Sequence, residues 1–126
     1  MLGDKTVVAT IAVKDMAVAK AFYEDKLGLA RVNDDDPGGV LYKSGSSNLF
    51  VYQSQFAGTN QATAASWGVG EDMEAVVAEL TDKGIAFETY DMPGVNHNGA
   101  IHVMGDLQSA WFKDPDGNIL NIVNRM

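Results

Sequence analysis

The sequence predicts an α+β protein built from two βαβββ modules, and three observations predict it. A strand-like run, a capped helix and a helix-stopping glycine occur in that order twice. The two occurrences keep one offset: 56 residues separate Val13 from Val69, and 56 separate Gly28 from Gly84. The chain then closes on "WFKDPDGNILNI", residues 111–122, in which a turn signal joins two alternating segments. Capped helices after strands are common, but chance alone rarely fixes a shared offset.

The first module covers about residues 5–55. "TVVATIAV" (6–13) is rich in β-branched residues and reads as a buried strand. Asp15 is placed to cap a helix on which Val18, Ala21 and Phe22 recur at helical spacing. Gly28 ends it where a left-handed residue is preferred. Strand-like segments follow near 30–33, 40–44 and 48–54, divided by Pro37-Gly38-Gly39 and Gly45-Ser46-Ser47.

The second module, about residues 62–125, repeats the grammar. "TAASWGV" (63–69) reads as a strand, and Asp72 stands at the cap position. Met73, Val76, Val77 and Leu80 follow at i, i+3, i+4 and i+7 before Gly84 stops the helix. A strand near 85–90 and an irregular stretch, "DMPGVNHNGAIHVMGD", precede a hairpin at 107–124. In its turn Pro115 pre-sets φ, Asp114 accepts a bond from the chain two residues on, and Gly117 supplies the left-handed conformation. Leu120 and Ile122 then share one face, while Ile119, Asn121 and Val123 share the other. An amide in that second row is the anomaly to explain.

Composition bounds the function. The chain's 126 residues, 46% of them hydrophobic, suffice for one domain, residues 1–126, with a proper core. No apolar run approaches the roughly 18 residues of a membrane span, and Met1–Lys5 carries no apolar signal region, so a cytoplasmic location is expected. The absence of cysteine excludes disulfides, thiolate metal sites and a cysteine nucleophile. A net charge of −8 argues against nucleic acid and anionic lipid as partners. Asp34, Asp35 and Asp36 read as a solvated loop, with a hard-cation site as the lesser alternative.

With these elements in place, "IAVKDMAVAKAFYEDKLGL" (11–29) and "AWFKDPDGNILNI" (110–122) resemble the vicinal oxygen chelate superfamily. That superfamily includes glyoxalase I, extradiol dioxygenases, fosfomycin-resistance enzymes, methylmalonyl-CoA epimerase and bleomycin-resistance proteins. The resemblance implies a curved, half-open mixed sheet with helices on its outer face and a site on its concave face. It also implies a homodimer. Metal-dependent members place a His or Glu on the first strand of each module and a Glu on the last. Those positions fall here on Val8, Ala64 and Asn121, and a further one falls near Val51, Tyr52 or Gln53. Valine and alanine offer no donor atom, and a neutral amide is only an auxiliary ligand for hard cations. No metal or other cofactor is therefore expected.

Four residues are candidates for ligand contact: Trp111, Asn121, Tyr52 and His102. Trp111 should lie across the hairpin from Asn121, on one face with Lys113, and give a ligand a flat apolar wall; space-filling or a dimer contact is the alternative. His97 and His102 match no compact ligand motif, and loop packing is their first reading. Ile101 and Val103 beside His102 would let that ring point inward. Trp67 should face the helix and join the core. The function expected is metal-free binding or sequestering of a small molecule. The alternative is an enzyme of lyase, isomerase or dioxygenase type. It would hold a metal through other residues, or use His102 or a nearby carboxylate as acid or base. No lipase-type serine motif, phosphate-binding loop or dinucleotide fingerprint is present.

Overall fold

Two compact units, Met1–Gly58 and Thr59–Met126, make up the chain. The computed structural model describes residues 1–32 and 38–125, so the acidic run at 34–36 lies outside the described residues. Each unit is an open mixed sheet with helix packed on it, the α+β architecture expected.

The first unit begins with strand β1, Ala9–Val13. Residues 6–8 precede the strand and Val7 is 89% exposed, so the buried run expected there is shorter and only half buried. The cause is position: β1 is an edge strand, and of its residues only Ile11 and Val13 are buried. Asp15 caps helix α1, Met16–Lys20, accepting from the amides of Ala17 at 2.9 Å and Val18 at 3.3 Å. The helix continues as a wider π-helical turn, Ala21–Lys26, which brings the adjacent Phe22 and Tyr23 both inside. Gly28 at φ 75° then frees Leu29 to donate to the Tyr23 carbonyl. Strands β2 (Ala30–Arg31), β3 (Val40–Ser44) and β4 (Ser47–Gln53) complete the sheet in the order β1-β4-β3-β2. β1 runs parallel to β4 and the other pairs are antiparallel.

The second unit repeats that topology with one addition. β5 (Thr63–Gly68) lies parallel to β10 (Ile119–Val123), and β10 is antiparallel to β9 (Leu107–Lys113). β6 (Phe87–Glu88) pairs with the end of β9, as β2 pairs with β3. The stretch expected to be irregular contains a hairpin, β7 (Asn96–Asn98) and β8 (Ile101–Met104), and β8 pairs with the start of β9. Helix α2, Met73–Asp82, is preceded by a 3-10 turn over Gly70–Asp72. Asp72 makes no side-chain cap bond, contrary to expectation, because it closes that turn instead of standing extended before the helix. Trp67 is opposite Ile122, as a core residue should be, but is only half buried because β5 is an edge. Among the described residues no helix is long and apolar enough to cross a membrane.

Candidate functional site

The Asp114–Gly117 turn sets the site's register. Oδ1 of the buried Asp114 accepts from the amides of Asp116 and Asn118, both at 2.9 Å, and its Oδ2 accepts from Asn118 Nδ2 at 2.8 Å. Gly117, at φ 89°, donates back to the Asp114 carbonyl. This turn places Asn121 directly opposite Trp111, and Ile122 opposite Ala110. Ala110, Phe112, Leu120 and Ile122 are buried. They have the parity of Asn98 and Gln108, which neighbour α2: Asn98 Nδ2 donates to Glu74 Oε1, and Gln108 lines a groove with Met73 and Glu74.

The opposite face carries Ser109, Trp111, Lys113, Ile119, Asn121 and Val123. Cross-strand pairing adds Ser66 beside Asn121, Glu88 beside Trp111 and His102 beside Ser109. This face away from α2 therefore carries the buried His102, Ser109 and Asn121 with Trp111, and Glu88 and Lys113 form an ion pair on it at 3.1 Å.

Asn121 is 4% exposed, and its amide nitrogen donates to Ser109 Oγ and, at 3.2 Å, to the Ala110 carbonyl. The donor half of the anomalous amide thus has structural partners on β9. Its carbonyl Oδ1 takes no protein hydrogen bond among the described residues, yet the atom is not sealed from solvent. An acceptor without a protein donor is what a ligand donor needs.

Trp111 is half buried. Its indole N–H donates to Thr63 Oγ1 at 3.2 Å, and its ring meets His102 at 5.0 Å and Tyr90 at 5.5 Å, both nearly perpendicular. His102 is 0% exposed and both its nitrogens are engaged. Nε2 accepts from the Tyr90 amide at 2.9 Å, and Nδ1 lies 3.1 Å from the Ala100 carbonyl. Since a backbone amide only donates and a carbonyl only accepts, these contacts are those of a ring with its proton on Nδ1 and an acceptor at Nε2. His97, directly opposite His102, places Nε2 3.1 Å from the Tyr90 carbonyl and its ring 4.6 Å from that of His102.

Tyr52, in the first unit, is half buried and stacks on Phe50 at 6.1 Å, on the face opposite the buried Val51. Gln53 donates to the Lys14 carbonyl at 3.0 Å. The same unit holds a polar trio on its helix side: Tyr42 Oη and Arg31 Nε both donate to Glu24 Oε2 at 2.8 Å. The Arg31 bond holds the Glu24 carboxyl below its ordinary range, against the opposing effect of burial. Burial, then the bond to Glu24, pushes the Tyr42 phenol up.

The positions that the resemblance implies for the family's metal hold few donor atoms. Val8 precedes β1 and carries no donor. Ala64 carries none either, and it is the residue that the β-bulge between the Thr63–Ile119 and Ala65–Leu120 pairs leaves without a partner. Asn121 turns its NH2 into β9. Among the described residues no three His, Asp or Glu side chains converge.

The sequence reading missed Tyr90, Thr63 and Ser109 as partners of its candidates, and missed the pairing of the two histidines. The signal was Gly99 between two short strand-like segments: with Gly99 at φ 61°, the two-residue turn Gly99-Ala100 brings residues 97 and 102 face to face.

The profile of the Glyoxalase/Bleomycin resistance protein/Dioxygenase superfamily matches residues 5–122. No curated protein sequence matches the chain. Among solved structures, a glyoxalase family protein from Enterococcus faecalis aligns over 98% of this chain and 99% of its own, with 23% identity and a TM-score of 0.72. A virulence protein from Salmonella typhimurium aligns over 100% of each chain, with 21% identity and a TM-score of 0.67. The fosfomycin resistance protein FosX from Listeria monocytogenes, in a mutant complexed with Mn(II) and a dihydroxypropylphosphonic acid, covers 100% of this chain and 93% of its own. Its identity is 12% and its TM-score 0.71. At such identities these likenesses speak for the fold alone.

Proposed function

We propose, for a chain that belongs to the Glyoxalase/Bleomycin resistance protein/Dioxygenase superfamily, a function in binding or sequestering a small molecule without a bound metal. The observation that carries this reading is the pair opposite one another on β9 and β10. Trp111 offers a half-buried aromatic wall, and Asn121 offers a carbonyl oxygen with no protein donor among the described residues. A catalytic divalent site needs about three protein donors that balance its charge, and Val8 and Ala64 supply none.

In this reading the ligand lies against Trp111 with a donor group on Asn121, while His102 stands behind the indole as support. Tyr52 lies on the corresponding face of the first unit, the one away from its helix. The protein acts in the cytoplasm as a homodimer, and neither nucleic acid nor membrane is a partner.

Elemental analysis of the purified protein, with thermal unfolding in added Ni²⁺, Zn²⁺, Mn²⁺ and Fe²⁺, tests the metal-free claim. A ligand that binds only the folded state adds RT ln(1 + [L]/Kd) to its stability, so a real site moves the midpoint. The expected result is no stoichiometric metal and no chelator-sensitive shift. Stoichiometric metal, or a shift of several degrees abolished by chelator, would overturn the reading in favour of a metalloenzyme.

A further inference from the structure

We propose that His97 and His102 form a clamp on the backbone of Tyr90 that positions Trp111, and that the clamp holds only while His102 is neutral. The inference rests on the reading that Trp111 lines the ligand face, and it assigns to the histidines a positioning role without ligand contact.

Tyr90 is two residues beyond β6, and neither its N–H nor its C=O joins a strand ladder. Instead, both are met by imidazoles. The amide donates to His102 Nε2 at 2.9 Å, and the carbonyl lies 3.1 Å from His97 Nε2. The two histidines are opposite one another across a two-residue turn, so β7 and β8 present one acceptor and one donor to a single residue. The consequence reaches the indole. Tyr90 and His102 both stand nearly perpendicular to Trp111, at 5.5 and 5.0 Å. Thr63 holds its N–H, so these three contacts fix the ring's place.

The chemistry of the clamp makes it conditional. Imidazolium has two N–H donors and no acceptor. Protonated at Nε2, His102 would point a hydrogen at the Tyr90 amide hydrogen, and the bond at 2.9 Å would be replaced by repulsion. Nδ1 offers no escape, because its proton is committed to the Ala100 carbonyl. The titratable groups that face His102 are His97 from β7 and Tyr90 from the segment after β6. Its strand partner on β9 is the uncharged Ser109, and Glu88 and Lys113, paired with one another, flank Trp111 further along this face. Protonation of His102 therefore releases Tyr90 and loosens Trp111 while the core on the other face of the sheet stays packed.

Nuclear magnetic resonance on the intact protein tests this without any ligand. At about pH 8, where imidazole is ordinarily neutral, His102 should show the Nδ1–H tautomer, with a scalar coupling through the hydrogen bond from the Tyr90 amide nitrogen to His102 Nε2. When the protein is acidified until the ¹⁵N shifts of His102 itself report imidazolium, that coupling should be lost. The Trp111 indole N–H resonance, assigned with W67F, should shift in step, with far-UV circular dichroism unchanged. H102Q keeps an acceptor that does not titrate, so its Trp111 resonance should stay near the wild type's alkaline position and show no step. The Nε2–H tautomer in the wild type, or the same acid step in H102Q, would overturn the proposal. If H102Q does not fold, the wild-type tautomer alone decides. Because no ligand is present, failure here leaves the proposed binding function standing, and failure of ligands to bind leaves the clamp standing.

Discussion

The two units share a strand topology and differ in where they bury polarity. In the first, the buried Tyr42 is bonded to Glu24 on the helix and stacked at 6.2 Å on the equally buried Tyr23, so the network seams helix to sheet. In the second, His102, Ser109 and Asn121 are buried on the face away from α2. A network between two packed layers has one task, to hold them together. Polar groups buried on the opposite face do nothing for the helix–sheet seam, and unpaired they are costly. Their place beside a half-exposed tryptophan is what supports the proposed binding role of the second unit.

The closing turns differ in the same way, and breaking them gives the largest expected effect. Asp114 satisfies three N–H groups from a buried position, whereas β3 and β4 join through the exposed Gly45-Ser46 pair. Asp114→Ala should lower stability by about 3 kcal/mol, since buried donors lose a charged acceptor. Ser46→Ala should stay within about 0.5 kcal/mol. Chemical denaturation of both variants checks the contrast, and equal losses would deny the second turn its special place.

The helix–sheet seam gives the next effect and carries a pH signature. Glu24 is held below its ordinary 4.5, so its contribution is full above that value and lost as pH falls through the folded one. Tyr42 is raised above its ordinary 10.0, so its contribution is full below pH 10.0 and lost as pH climbs towards the folded value. Tyr42→Phe should cost about 1–2 kcal/mol at neutral pH and flatten the alkaline limb of the stability profile. Thermal melts from acid to alkali read both limbs. An alkaline limb that survives in Tyr42→Phe would place its cause elsewhere.

Smaller still in stability, but larger in function, is Asn121→Leu. Removing the amide leaves Ser109 Oγ and the Ala110 carbonyl without this donor, a loss of about 1 kcal/mol. Ligand binding should fall far more than that. Binding preserved in a folded Asn121→Leu protein would remove Asn121 from the site.

The sequence made the two-module plan legible because glycines and caps are local. Gly28 and Gly84 stop their helices at positive φ, and Asp15 caps as its residue type demands. The parity of Trp111 and Asn121 was equally legible, because one tight turn fixes the register of the strands beside it. What escaped depends on contacts distant in the chain. Asp72 fails as a cap because a 3-10 turn absorbs it, and Trp67 is half exposed because its strand has one neighbour. The histidine clamp needs Tyr90, Ala100 and a short hairpin at once, and no periodicity announces such a combination. The match of the two units in topology, with β7 and β8 added to the second only, is visible in the pairing and hidden in the 56-residue offset.

The central claim is that the face bearing Trp111 and Asn121 takes a small molecule without a metal. Its most direct measurement is a two-dimensional ¹H–¹⁵N spectrum of the protein, with chelator present, titrated with a mixture of small phenols and aromatic carboxamides. The account predicts shifts in the Trp111 indole and in the Asn121 side-chain amide, with the Trp67 indole unmoved. Shifts confined to Trp67, or shifts at Trp111 that appear only when a divalent metal replaces the chelator, would contradict it.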